Sequence, residues 1–158
     1  MTKTGVNWTE RFRDVVGAVE ALSCTSCLID GEIVACDGNG VPSFELLRKR
    51  QRPTTLIAFD LIELDGIDLR REPIGRRREL LQTLVDGALP HLVFSQDFDA
   101  RPAILFKRVC ALGLEGVVCK RKGSRYRSGR SKDWIKLKNP SSAAAIREAS
   151  ENWGKKRR

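Results

Sequence analysis

Near the end of the chain lies Trp134-Ile135-Lys136-Leu137-Lys138, two lysines separated by one apolar residue. On a β-strand successive side chains take opposite faces, so Trp134, Lys136 and Lys138 would share one face while Ile135 and Leu137 turn into the core. Two ammonium groups side by side repel, and the arrangement is destabilising unless something negative sits between them. A phosphate supplies that charge, and lysine binds it well as a compact point charge. A solvated edge strand that uses lysine to block aggregation has the same pattern, so the pentapeptide alone fits either role. A second apolar segment, Val117–Cys119, lies upstream, and between Lys120 and Lys138 nine basic residues accompany one acid, Asp133. The loop from Arg121 to Lys132 alternates Gly, Ser and Arg around Tyr126. Small flexible residues with guanidinium groups and one aromatic suit a contact that tracks a nucleic-acid backbone, whereas a loop serving solubility alone would mix signs.

Three acidic positions lie beside or near glycine: Asp30-Gly31-Glu32, Asp60 within AFDLIELDG, and Glu115-Gly116. A carboxylate at the edge of a lysine-rich cleft makes sense if a Mg²⁺–nucleotide occupies it, because Mg²⁺ prefers oxygen ligands and phosphates. Asp-Gly is also the commonest turn pair, so each position alone is weak. Phe59, between Ala58 and Asp60 in an apolar strand, is ordinary core by itself. Only its company makes it a candidate for stacking on a base. Cys24 and Cys27 have C-x-x-C spacing, which raises zinc or redox chemistry. Structural zinc wants four ligands; no second pair exists and the only histidine is His91, so small residues at a strand entrance are the better account.

The elements that must position these groups follow from periodicity and turn residues. Phe12, Val15, Val16, Val19 and Leu22 predict an amphipathic helix over about 9–22, with Thr9 as N-cap. Cys27–Cys36 is a strand running into the turn Asp37-Gly38-Asn39-Gly40, and Ser43 caps a short helix, FELLRKR. Thr54–Leu64, apolar on both faces, reads as a central strand closed by Asp65-Gly66. Pro73 opens a helix through about Asp86, His91–Ser95 is a further strand, and a helix over about 100–112 stops at Gly113. Strands and helices mixed without strict βαβ alternation indicate α+β with antiparallel sheets. The 158 residues suffice for one domain with a real core, and a net charge of +9 favours polyanionic partners. An odd count of five cysteines without a visible secretory signal argues for reduced thiols and a cytoplasmic location, and no apolar run approaches a membrane span.

Taken in order, IDGEIVA, IAFDLIELDG, EGVVCKR and WIKLK resemble the successive signature segments of ATP-dependent DNA ligases, and are most similar to ligase domains of bacterial end-joining enzymes. GVNWTERF resembles the segment those domains carry just after their nucleophile. The likeness covers about residues 5–140 and implies the α+β nucleotidyltransferase core of ligases (ATP-grasp-like), with 1–140 a partial adenylation domain and 141–158 a basic C-terminal tail. It implies that Glu32 contacts the ribose or helps hold metal, that Phe59 stacks on adenine, and that Glu115 binds the divalent ion. Lys136 and Lys138 would grip the α-phosphate, joined by Lys120, although strict alternation puts Lys120 and Glu115 on opposite faces. Arg125, Arg127, Arg130 and Lys132 would lie near DNA. ATP and Mg²⁺ are the cofactors implied; nicked or broken duplex DNA is the partner, with other end-joining repair proteins beside it. The family's chemistry starts from a lysine in K-x-D-G, and no K-x-D-G occurs here. The expectation is therefore a truncated adenylation domain, lacking that lysine and the following OB-fold, either part of a nick-sealing enzyme or an inactive nucleotide- and DNA-binding module.

Overall fold

Thr55–Leu64 (β2) is the strand on which the first unit is built. It pairs antiparallel with Cys27–Val34 (β1) and with the two-residue Ile67–Asp68 (β3), and parallel with Leu92–Phe94 (β4). That last pairing departs from a purely antiparallel sheet. The chain reaches β4 through a crossover helix, Ile74–Val85 (α3), which delivers the strand in the same direction as β2. The β2–β3 turn is as the sequence foretold: Asp65 and Gly66 both take positive φ, 50° and 81°, which a tight two-residue hairpin requires. The computed structural model describes residues 5–49, 52–88, 90–98, 100–129, 131–142 and 145–146. They fall into two compact units, one ending at Gln96 and one beginning at Asp97.

In the first unit Arg13–Glu20 (α1) and α3 cover one face of the sheet. Ala18, Ala58, Leu61, Leu69, Leu81, Val85 and Leu92 form the buried cluster between them. Thr9 does not cap a helix: its amide and hydroxyl both turn back to Asn7 Oδ1, at 2.9 and 2.6 Å. Residues Thr9–Arg11 make a 3₁₀ turn, and α1 starts only after Phe12. Phe44–Lys49 (α2) begins after Ser43, whose Oγ accepts from the Leu46 amide at 3.4 Å. In the β1–β2 register Ile29 opposite Leu61 follows Leu28 opposite Glu63, and Gly31 opposite Ala58 follows Asp30 opposite Asp60. Ile62 and Phe59 are thus extra residues on β2, and the strand bends at both.

The second unit pairs Gly116–Lys120 (β5) with Trp134–Lys138 (β6) as an antiparallel ribbon, preceded by the helix Pro102–Ala111 (α4). Proline at the first position of α4 gives up a hydrogen bond the helix start lacks anyway, and Gly113 at φ 68° ends it. Most of the expected tail from residue 141 lies outside the described residues. No helix among the described residues is long and apolar enough to cross a membrane.

Candidate functional site

The β5–β6 register decides which side chains can act together. Gly116 stands opposite Lys138, Val118 opposite Lys136 and Lys120 opposite Trp134. Residues directly opposite share a face, so Lys120, Lys136 and Lys138 all project from one side of the ribbon. Gly116 is obligatory: its φ is 155°, and a Cβ there would come within 2.1 Å of the Leu137 carbonyl oxygen. The ribbon closes tightly beside Lys138 for that reason.

The lysines are not left to repel one another. Lys136 Nζ donates to Glu115 Oε1 at 3.1 Å, and both side chains are about half exposed. Glu115 precedes the strand, so strict alternation does not apply to it and it reaches the lysine face. Its backbone is fixed from across the ribbon, where the Asn139 amide donates to Glu115 O at 2.7 Å and Asn139 Nδ2 donates to Leu114 O at 2.9 Å. Lys120 Nζ sits 4.1 Å from the Trp134 ring centroid, where the negative face of the indole attracts it. Tyr126 meets the same ring edge-on at 5.9 Å and ties the loop back to β6. Arg125, Arg127 and Lys132 are exposed, Arg121 reaches Asp133 at 3.3 Å, and Arg130 lies outside the described residues. One expectation fails: Ile135 does not enter a core but is 56% exposed.

In the first unit Glu32 is exposed and opposite Ile57, so these two share a face of the sheet. Phe59 lies between Ala58 and Asp60, both fully buried, at the point where β1 skips a residue, so regular alternation does not set its direction.

Asp60 is not available to a metal. Arg77 of α3 holds both its oxygens, Nε to Oδ1 at 2.7 Å and Nη2 to Oδ2 at 2.8 Å, and neither side chain is exposed at all. Arg77 Nη1 also donates to the Glu72 carbonyl at 2.7 Å. The sequence signal for this pair was an acid inside an apolar strand, which folding permits only with a cation at hand. Cys24 and Cys27 stay reduced and half-buried. Burial, a hydrogen bond with Cys24, and the carboxylates Glu63 and Asp65 push the Cys27 thiol up to about 11, which disfavours the thiolate that zinc or redox chemistry needs. Among the described residues no three His, Cys, Asp or Glu side chains gather as a metal site.

The family model for the ATP dependent DNA ligase domain matches residues 1–138. A multifunctional non-homologous end joining protein LigD from Pseudomonas aeruginosa is 40% identical over 144 residues, 87% of this chain and 17% of that protein. A DNA ligase from Pyrobaculum arsenaticum is 34% identical, covering 82% of this chain and 25% of the relative. The chain thus spans a quarter or less of these two relatives. Among solved structures, a mycobacterial DNA ligase D complexed with ATP and MES superimposes with a TM-score of 0.73 at 31% identity, over 87% of this chain and 46% of that one.

Proposed function

The chain belongs to the ATP-dependent DNA ligase domain family, and from that membership we propose that it binds an adenine nucleotide and duplex DNA in the service of nick sealing. The observation that carries this is the ribbon face on which Lys120, Lys136 and Lys138 stand together with Glu115 at its end. Three ammonium groups on one short ribbon suit a group bearing several negative charges, such as a polyphosphate. Phe59 offers the base an aromatic surface and Glu32 offers the ribose hydroxyls an acceptor. Arg125, Arg127, Arg130 and Lys132 contact the DNA backbone, a sequence-independent contact in keeping with the +9 charge. The Pseudomonas relative is a non-homologous end joining protein, which supports broken ends, and other end-joining proteins, as the setting.

The donor set fits a divalent cation only in company. Glu115 supplies one carboxylate already shared with Lys136, so Mg²⁺ would complete its shell with phosphate oxygens and water, as it prefers. When bound it would neutralise phosphate charge. With Glu115 so occupied, Lys136 would be free to donate to the phosphate, and the lysine face would hold the phosphate chain in place.

These 158 residues contain no K-x-D-G, so the amine that accepts AMP in the family is not among them. That observation supports a second role, nucleotide and DNA binding without chemistry. Incubation of the 158-residue chain with labelled ATP and Mg²⁺ distinguishes the two. The expected result is saturable ATP binding without a covalent AMP adduct of the alkali-stable, acid-labile kind that a lysine phosphoramidate gives. An adduct on any lysine would show that the chain carries its own nucleophile.

A further inference from the structure

Phe59 is the residue the register leaves over, since β1 passes from Asp30 opposite Asp60 to Gly31 opposite Ala58. An extra residue interrupts the ladder and re-aims the side chains around it. Two arginines of α3 grip the chain at this point. Arg78 Nη1 donates to the Phe59 carbonyl at 2.8 Å, Arg78 Nη2 donates to the Ser95 carbonyl, and the guanidinium stacks 4.6 Å over the Phe94 ring. The next residue, Asp60, is held on both oxygens by Arg77. Across the sheet, a Cβ on Gly31 would fall 2.6 Å from Leu56 Cδ1 and 2.8 Å from Ile57 O, so β1 presses against β2 where only glycine fits.

Arg78 is 8% exposed, and burying a guanidinium is costly where an apolar side chain would fill the space. The acceptors named above are carbonyls on two adjacent strands, β2 and the residue that follows β4. A planar fork spans both; a single ammonium reaches one. We propose that Arg78 is a positioning residue for Phe59: by fixing the bulge it fixes the direction in which the aromatic ring faces a purine base. The proposal rests on the nucleotide-binding function above, and it predicts that base recognition and phosphate recognition separate cleanly.

The test compares the parent chain with Arg78→Met and Arg78→Lys, using Mg·ATP and inorganic tripolyphosphate as ligands and amide hydrogen exchange as a ligand-free readout. In Arg78→Met, Mg·ATP binding should weaken roughly tenfold through the loss of ordered stacking, while tripolyphosphate binding stays within about twofold. Arg78→Lys should recover part of the loss. The amides of Phe59 and Asp60 should exchange roughly tenfold faster, with Val118 and Leu137 unchanged. Equal weakening of both ligands, or parent-like exchange at Phe59 and Asp60, would overturn the proposal. A parent chain that binds no ATP would defeat the nucleotide function alone, and exchange would then decide the positioning by itself. Should Arg78→Met fail to fold, Phe94→Leu keeps the guanidinium and removes the ring beneath it. The same changes in smaller measure are expected there, and parent-like exchange would again refute the role.

Discussion

Two runs of basic residues look alike in the sequence and end in opposite places. Arg76-Arg77-Arg78 sends two guanidinium groups into the interior of the first unit, where a carboxylate and three backbone carbonyls receive them. The run from Lys120 to Lys132 leaves Arg121, Lys122, Arg125 and Arg127 at the surface of the second, with Asp133 the first acid after it. The difference lies in which acceptors the fold brings within reach. An apolar strand holding one carboxylate, Asp60, creates a demand that α3 meets. The loop beside the ribbon has no such demand, and Arg125 and Arg127 stay exposed, as the proposed contact with DNA requires.

The largest effect expected from that contrast is on stability. Arg77→Met leaves Asp60 buried without its cation and should cost about 3–5 kcal/mol, read from the denaturant midpoint. Arg76→Met, one residue earlier but exposed, should stay within about 0.5 kcal/mol. Similar losses in the two variants would erase the distinction between the runs.

The second run should fail the opposite test. Changing Arg125 and Arg127 together to Ala should leave the melting temperature unchanged and weaken duplex DNA binding. Two lost phosphate contacts would flatten the plot of log K against log salt by about 1.8, at about 0.9 per contact. An unchanged slope would mean that these side chains face away from DNA.

Titration should show the smallest effects. The Asp68 carboxyl is held down at about 2, chiefly by its hydrogen bond from the Arg70 side chain. A group with a depressed folded pKa stabilises above its unfolded value near 3.8, and that contribution fades as pH falls from about 4 toward 2. At the other end, the Cys27 thiol is raised from 9.0 to about 11, so its contribution is full below pH 9 and is lost as pH rises to about 11. Cys27→Ala should make stability flatter between pH 9 and 11, in a pH series of urea melts.

Much of this was legible beforehand. Thr54–Leu64 declared itself a central strand because both of its faces are apolar, and Asp65-Gly66 declared its turn because few pairs accept two positive φ values. The spacing of Lys136 and Lys138 gave their shared face. What sequence could not give was register. Whether Lys120 joins that face depends on its standing opposite Trp134, and whether Phe59 is a regular or an extra residue depends on how β1 skips past it. Long-range partners were hidden for the same reason: nothing local tells that Arg77 and Arg78 meet a carboxylate and a carbonyl of β2, or that Asn139 reaches Leu114 across the ribbon. Thr9 misled because its neighbour Asn7 offered a nearer acceptor than the helix did.

The most direct test of the phosphate-binding face is a melting curve with and without Mg·ATP, run on the parent chain and on the variant with Lys136 and Lys138 both changed to Met. Methionine keeps much of the apolar stem and removes the charge. Without ligand the variant should melt within about 1 kcal/mol of the parent, because the Lys136–Glu115 pair it loses is half exposed. With nucleotide at about a hundred times Kd the parent should gain about 2.7 kcal/mol, and the variant almost none. An equal upward shift in both proteins would contradict the account and place the phosphate site away from this ribbon.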